Sequence, residues 1–306
     1  RVFKYSNEHI QEGHEAFSLP VLAYYPTNRS ILDIPSRIRM RHEFDRFSVY
    51  ANALNSTAKF RDFFEWFRNR EDIENQIRAE RLQSYKDHQL QAVRNSITGL
   101  LPEYTNLRVV RLPRQRMTIR KNEEELDISV LSDGEKCLIS LVGDIARRLS
   151  MANPDSPEPL KGDGIILIDE VELHLHPSWQ RMIVPRLRCV FPNCQFIVTT
   201  HSPQVLGEIA PEDIRLLSHN HLSTVEQSLG LSSNTVLDTL MSGNSDAGLS
   251  LNAEVRRNLH EISGLIDAEN YEEAKEKVRT LEEKLHGSTP DTLELSTMIT
   301  MLEGKS

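Results

Sequence analysis

The apolar positions of this chain fall into two rhythms. Residues 19–25 (Leu-Pro-Val-Leu-Ala-Tyr-Tyr), 165–168 (Ile-Ile-Leu-Ile) and 196–198 (Phe-Ile-Val) are short uncharged runs, the signature of buried strands. Elsewhere the apolar residues recur every three or four positions. Phe60, Phe63, Phe64 and Phe67 open a helical stripe, a strongly polar stretch from Arg68 to Gln89 follows, and Leu90, Val93, Ile97 and Leu101 resume the stripe. An amphipathic helix starts near Glu135. Beyond residue 250, Val255, Leu259, Ile262 and Ile266 form one stripe, and Tyr271, Ala274, Val278, Leu281 and Leu285 a second, across a turn at 267–270. Met298, Ile299 and Leu302 suggest a third helix. Met117-Thr118-Ile119 and residues 126–130 flank the polar residues 122–125 and predict a hairpin. Residues 26–29 read as a turn, 151–164 as a surface loop, and 242–250, rich in Ser, Gly and Asn, as a linker. The pattern predicts an α/β lobe followed by an all-helical tail.

Composition narrows the class. With 306 residues, 39% hydrophobic and 26% charged, the chain can bury a sizeable core. No apolar run approaches membrane-spanning length, and no signal peptide is expected. Three cysteines, odd in number and without zinc spacing, suit a reducing cytoplasm. A net charge of −9 means that any nucleic-acid binding needs a local basic surface. Residues 108–121 offer one, with Arg108, Arg111, Arg114, Arg116, Arg120 and Lys121 and no acidic residue. That stretch suits a nucleic-acid backbone, and equally pairing with Glu123, Glu124 and Glu125. Acidic and basic residues are evenly mixed between Arg61 and Arg94, as on a solvent-facing helix. At about 1.5 Å per residue a helix here reaches at most about 70 Å, so a compact hairpin or docking surface fits better than a long tether. The tail after residue 251 carries twelve acidic and seven basic residues, which suits protein docking, dimerisation or plain packing and makes a poor DNA binder.

Three short segments carry candidate chemistry. Ser132-Asp133-Gly134-Glu135 opens the amphipathic helix, Asp169-Glu170 ends the strand 165–168, and His201 follows the strand 196–198. Each alone has a plain structural reading: an N-cap with an acidic first turn, a surface carboxylate pair, a structural histidine. His174 and His176 have no convincing third metal ligand nearby. The string His219-Asn220-His221 carries no nuclease activity, because an HNH nuclease fold does not use a contiguous tripeptide.

Taken together, in this order and spacing, the three segments resemble the second half of an ATP-binding-cassette ATPase head, in the branch of chromosome-maintenance and DNA-repair ATPases. That resemblance implies an α/β fold, the C-terminal lobe of such a head with an inserted helical arm, while the spacing of the tail's stripes and the turn at 267–270 resemble a tetratricopeptide-like helical hairpin. It implies ATP and Mg²⁺ as cofactors. Asp169 would hold the metal, Glu170 the attacking water, and His201 would contact the γ-phosphate. Ser132, Asp133, Gly134 and Glu135 would receive anionic oxygens at a helix N-terminus, in a head dimer that sandwiches the nucleotide. It divides the chain into 1–53, the end of a first lobe; 54–101, the arm; 102–241, the catalytic lobe; 242–250, the linker; and 251–306, the docking tail. The phosphate loop G-x-x-x-x-G-K-[ST] is missing: the nearest string is Gly304-Lys305-Ser306, with Ile at position 299. With Arg1 at its start, the chain is expected to be the C-terminal part of a longer protein. Arg29 is expected on the surface, in a salt bridge, or near a phosphate or neighbouring subunit.

Residues 19–29, 63–68, 131–136, 168–177 and 195–206 are similar to the ATPase subunit of Septu-type bacterial defence systems, including the version attached to retrons. The resemblance implies a separate HNH-type nuclease subunit and, in retron versions, a reverse transcriptase with its RNA–DNA hybrid. A DNA-repair ATPase acting directly on DNA is the alternative. A nuclease with a Toprim domain is disfavoured because no Asp-x-Asp follows His201, and a transporter ATPase because Glu-Leu-His-Leu-His-Pro follows the carboxylate pair.

Overall fold

Val21, Ala23 and Tyr25 turn the same way along strand β1 (Val21–Tyr25), and all three are buried. The computed structural model describes residues 18–27, 46–54, 60–81, 83–218, 220–237 and 253–303. Arg29, the linker 242–250 and residues 304–306 lie outside them. The chain divides into two compact units, with the boundary in sequence between Ile214 and Arg215.

In the first unit, two helices, α1 (Phe60–Glu80) and α2 (His88–Leu100), follow β1. The polar stretch at 68–89 thus contains a helix end, a turn and a new start. Asp87 caps α2, its carboxylate accepting from the amides of Gln89 and Leu90 at 3.0 Å. Then come β2 (Tyr104–Val110), β3 (Arg116–Lys121) and β4 (Glu124–Asp127), an antiparallel sheet in that order. Asn122 and Glu123, both with positive φ, make the tight turn between β3 and β4. Strand β4 stops at Asp127, short of the expected 130, because its carboxylate accepts from the Ser129 amide at 2.9 Å and hydroxyl at 2.7 Å.

Helix α3 (Asp133–Ala152) is the spine of this unit. Its residues from Leu141 to Ala152 are all buried, so Met151 and Ala152 belong to the core and not to the expected loop. Where α1 crosses it, a Cβ on Gly143 would stand 2.9 Å from the Phe63 ring. Strand β5 (Gly164–Ile168), helix α4 (Pro177–Val190) and strand β6 (Cys194–Val198) complete the unit, with a helical turn at Pro203–Leu206.

Strands β1, β5 and β6 form a parallel sheet in the order β1-β5-β6, with Tyr25 opposite Ile168 and Ile168 opposite Val198. Their carboxyl ends are therefore level. One face packs Ile166 and Ile168 into the core; on the other, Ile165 is 43% and Ile197 51% exposed. Parallel strands are usually covered on both faces, which accounts for the continuous apolar runs seen in sequence.

The second unit carries a small hairpin, β7 (Leu216–Ser218) and β8 (His221–Ser223), with Asn220 at φ 63° in its turn. Helices α5 (Ala253–Asp267), α6 (Tyr271–Leu285) and α7 (Pro290–Glu303) bury Ile262, Ile266, Ala274, Val278, Leu281 and Ile299 against one another. The two stripes of α5 and α6 face inward as expected. On α7 only Ile299 of the expected trio is inside; Met298 and Leu302 are exposed. Among the described residues, no helix is long and apolar enough to cross a membrane.

Candidate functional site

The backbone at the sheet's carboxyl end is tightly tied. The Asp169 amide donates to the Tyr25 carbonyl at 2.8 Å, the Thr199 amide to the Ile168 carbonyl at 3.0 Å, and the Val171 amide to the Thr199 carbonyl at 3.0 Å. These bonds carry the sheet pattern one residue past the strands, so that Asp169 emerges between β1 and β6. Glu170 breaks the extended conformation with φ 45°. The side chains of Asp169 and Glu170 are half-buried.

Thr199 joins the two carboxylate residues. Its hydroxyl donates to Asp169 Oδ1 and accepts from the Glu170 amide at 2.8 Å. A short hydroxyl bearing on both residues fixes the Asp169 rotamer and the unusual Glu170 backbone at once.

His201 is exposed, and its amide donates to Glu172 Oε1 at 2.6 Å. The other oxygen, Glu172 Oε2, is buried and has no hydrogen-bond partner among the described residues. Ser202 caps the following helical turn and donates to Gln180 Oε1 at 2.6 Å, while Gln180 Nε2 donates to the Leu175 carbonyl at 2.8 Å. Through Glu172 and Gln180 the histidine loop is anchored to the segment after the carboxylates. His174, at φ 63°, and His176, which caps α4, belong to that segment structurally.

At the start of α3, Ser132 and Glu135 form a reciprocal capping box. Glu135 Oε2 accepts from the Ser132 amide at 2.6 Å and from its hydroxyl at 2.7 Å. Glu135 Oε1 accepts from Lys121 Nζ at 2.5 Å and from the Tyr104 hydroxyl. Burial opposes ionisation of Glu135, but these donors outweigh it and bring its pKa down to about 2. The Lys121 ammonium is raised in turn by its bonds to Glu135 and Tyr104. Asp133 is exposed and lies 3.6 Å from Lys136. Gly134 is buried against the carboxylate segment: a Cβ there would lie 2.5 Å from the His174 carbonyl oxygen.

The structure thus brings the 132–135 turn against the segment that follows Asp169 and Glu170, and ties His201 to that same segment. The Ser132 hydroxyl is engaged within its own helix cap. Sequence reasoning missed Thr199, Glu172 and Tyr104. The Thr199-Thr200 pair directly before His201 was the available signal for the first. The basic stretch is extensively paired: Arg108 with Glu125 at 2.6 Å, Arg111 with Glu71 and Asp72 at 2.9 and 2.5 Å, and Lys121 with Glu135.

The donor set at Asp169, a carboxylate flanked by a threonine hydroxyl at the carboxyl end of parallel strands, is the hard-oxygen chemistry that Mg²⁺ prefers. The residues present fit such an ion.

Comparison with known proteins gives consistent relatives. Over 263 residues the chain is 34% identical to the retron Vc95 probable ATPase of Vibrio cholerae serotype O1 biovar El Tor, covering 71% of this chain and 50% of that protein. It is 36% identical over 260 residues to the retron Ec83 probable ATPase of Escherichia coli, covering 66% and 48%. A shorter match of 90 residues, 40% identical, joins it to the Septu protein PtuA of Bacillus mycoides strain KBAB4, covering 29% and 12%. The chain spans about half the length of the two retron relatives. Among solved structures, the SMC head bound to the C-winged helix domain of ScpA aligns with 48% of this chain and 44% of its own, at 17% identity and a TM-score of 0.33. The family model described as "AAA domain, putative AbiEii toxin, Type IV TA system" matches residues 5–207. The chain therefore belongs to that AAA-domain family.

Proposed function

We propose that the protein is an ATPase of a retron- or Septu-type anti-phage defence system, and that this chain supplies the hydrolytic half of its nucleotide site. The observation that carries the reading is the Thr199 hydroxyl, which binds Asp169 and the Glu170 amide together at the carboxyl end of the sheet. A carboxylate bonded by the hydroxyl, next to a second whose backbone leaves the strand at φ 45°, suits a division of labour in phosphoryl transfer. Asp169 would hold Mg²⁺, whose charge neutralises the phosphate oxygens when bound. Glu170 orients water and accepts its proton. His201, on an exposed loop held through its amide, leaves its ring to hydrogen-bond a γ-phosphate. The 132–135 turn, at the positive end of a 20-residue helix, favours anionic oxygens and would face the nucleotide of a second subunit in a head dimer.

The names of the relatives support the defence assignment, and the family supports ATP as the substrate. On this reading hydrolysis controls an associated HNH-type nuclease, and in a retron setting a reverse transcriptase with its RNA–DNA hybrid. The full-length protein carrying Glu170→Gln is expected to bind ATP with near wild-type affinity and to lose turnover. Hydrolysis at the wild-type rate would overturn the assignment of Glu170.

A further inference from the structure

Helices α1 and α2 and strand β2 enclose a cleft of about 590 Å³. Arg78, Lys86, Arg94, Arg108 and Arg111 line it, against a single acidic liner, Glu71. This concentration of cation is local, on a chain whose net charge is −9.

Two carboxylates are buried beside these cations, and two exposed ones, Glu125 and Asp72, pair Arg108 at 2.6 Å and Arg111 at 2.5 Å. Glu74 lies behind the wall with its side chain 0% exposed, and Glu71 with 6%. In front of them Arg78, Arg108 and Arg111 are 34%, 46% and 36% exposed. The buried carboxylates hold the guanidinium groups in place: Arg94 bonds Glu74 at 3.2 Å and Glu71 at 3.3 Å, and Arg111 bonds Glu71 at 2.9 Å. Arg78 is fixed a second way, its Nε donating to the Tyr85 carbonyl at 2.6 Å. An arginine has five N–H donors in a rigid fork, so one paired with a carboxylate keeps donors for another oxygen. Bracing also removes the entropic cost of ordering the side chain on binding.

The remaining lining fits the same use. Asn75, Gln91, Asn95 and Asn106 contribute amides. Asn106 sits at φ 53° inside a register shift of the β2–β3 ladder, an irregularity of the kind that re-aims side chains toward sites. Val109 is the one apolar liner, and no aromatic ring is among the lining residues. A peptide partner would ordinarily require an apolar anchor pocket, and base stacking would require a ring. Neither is present. Phosphate oxygens are what this set of donors can satisfy.

We propose that this cleft binds phosphate groups, supplied either by the backbone of a nucleic-acid strand or by a free polyphosphate. The proposal does not rest on the ATPase reading, since none of its residues belongs to the Asp169 site.

The test is fluorescence anisotropy of the full chain with a short labelled single-stranded oligonucleotide, with a polyglutamate peptide as competitor, together with isothermal titration calorimetry of the same proteins with inorganic tripolyphosphate. Lys86→Ala and Arg108→Ala are each expected to weaken binding about 5-fold and to reduce the salt dependence by roughly one phosphate contact. Arg279→Ala, an exposed arginine on α6, should change nothing. Oligonucleotide binding with this pattern assigns the phosphates to a nucleic acid. Tripolyphosphate binding with the same pattern, and no oligonucleotide binding, assigns them to a free polyphosphate. Binding of neither, equal binding by wild type and both variants, or preference for polyglutamate would overturn the proposal.

Discussion

A Cβ built on Gly134 would stand 2.5 Å from the carbonyl oxygen of His174. The first turn of α3 and the segment after the paired carboxylates therefore touch backbone to backbone, and no rotamer change can relieve an added methyl group. Gly134→Ala is expected to destabilise the protein by about 1–3 kcal/mol, as overpacking does. Thermal melting of the purified chain measures this; an unchanged melting temperature would mean that the contact has slack.

Thr199 offers a cleaner functional test, because its side chain is exposed and its loss opens no core cavity. Thr199→Val removes the bond to Asp169 and the acceptor for the Glu170 amide. Under the proposed function, ATP turnover of the full-length protein should fall roughly 10- to 100-fold, the usual range for groups that orient a metal's ligands. Thr199→Ser should recover most of it. Phosphate release at steady state distinguishes the three proteins.

Asp144 is a structural counterpart. It is buried with Arg147 and Arg148, accepting from them at 2.6 and 2.8 Å, and from the Tyr25 hydroxyl at 2.9 Å. Burial opposes its ionisation, yet the two guanidinium groups hold it well below the usual carboxylate range. Asp144→Ala leaves two buried cations unpaired and should cost about 3–5 kcal/mol in urea denaturation. A loss below about 1 kcal/mol would show that water or other groups replace the carboxylate.

How much of this was legible beforehand depends on whether the partner lies nearby in sequence. The strands ending at Ile168 and Val198 announce themselves, since a buried parallel strand needs an uninterrupted apolar run. The cap at Ser132 was equally plain, because Ser and Glu three apart are a local pattern. Thr199 was not, since its bonds reach Asp169 and Glu170 across neighbouring strands. The basic stretch read evenly between two partners, while Glu71 and Asp72, which hold Arg111, are far upstream. The third tail helix misled for another reason: α7 exposes Leu293, Met298, Met301 and Leu302 while burying Ile299, so its apolar residues mark more than one face and periodicity could not choose Ile299.

The Glu135 cluster makes stability depend on acid. A carboxylate whose pKa falls from 4.5 to about 2 on folding stabilises fully above 4.5, and that contribution disappears as pH drops through 2. Glu135→Gln should therefore flatten the decline in stability across this window, while being less stable than wild type at neutral pH. Denaturation midpoints at a series of pH values test it; parallel curves for the two proteins would discount the cluster.

Glu172 has one further consequence. Its carboxylate grips the amide of His201 while its own backbone lies in the segment that Gly134 presses upon. The first turn of α3 and the histidine loop are thus separated by one backbone contact and one side-chain hydrogen bond, so the shortest path from that helix to His201 runs through Glu172.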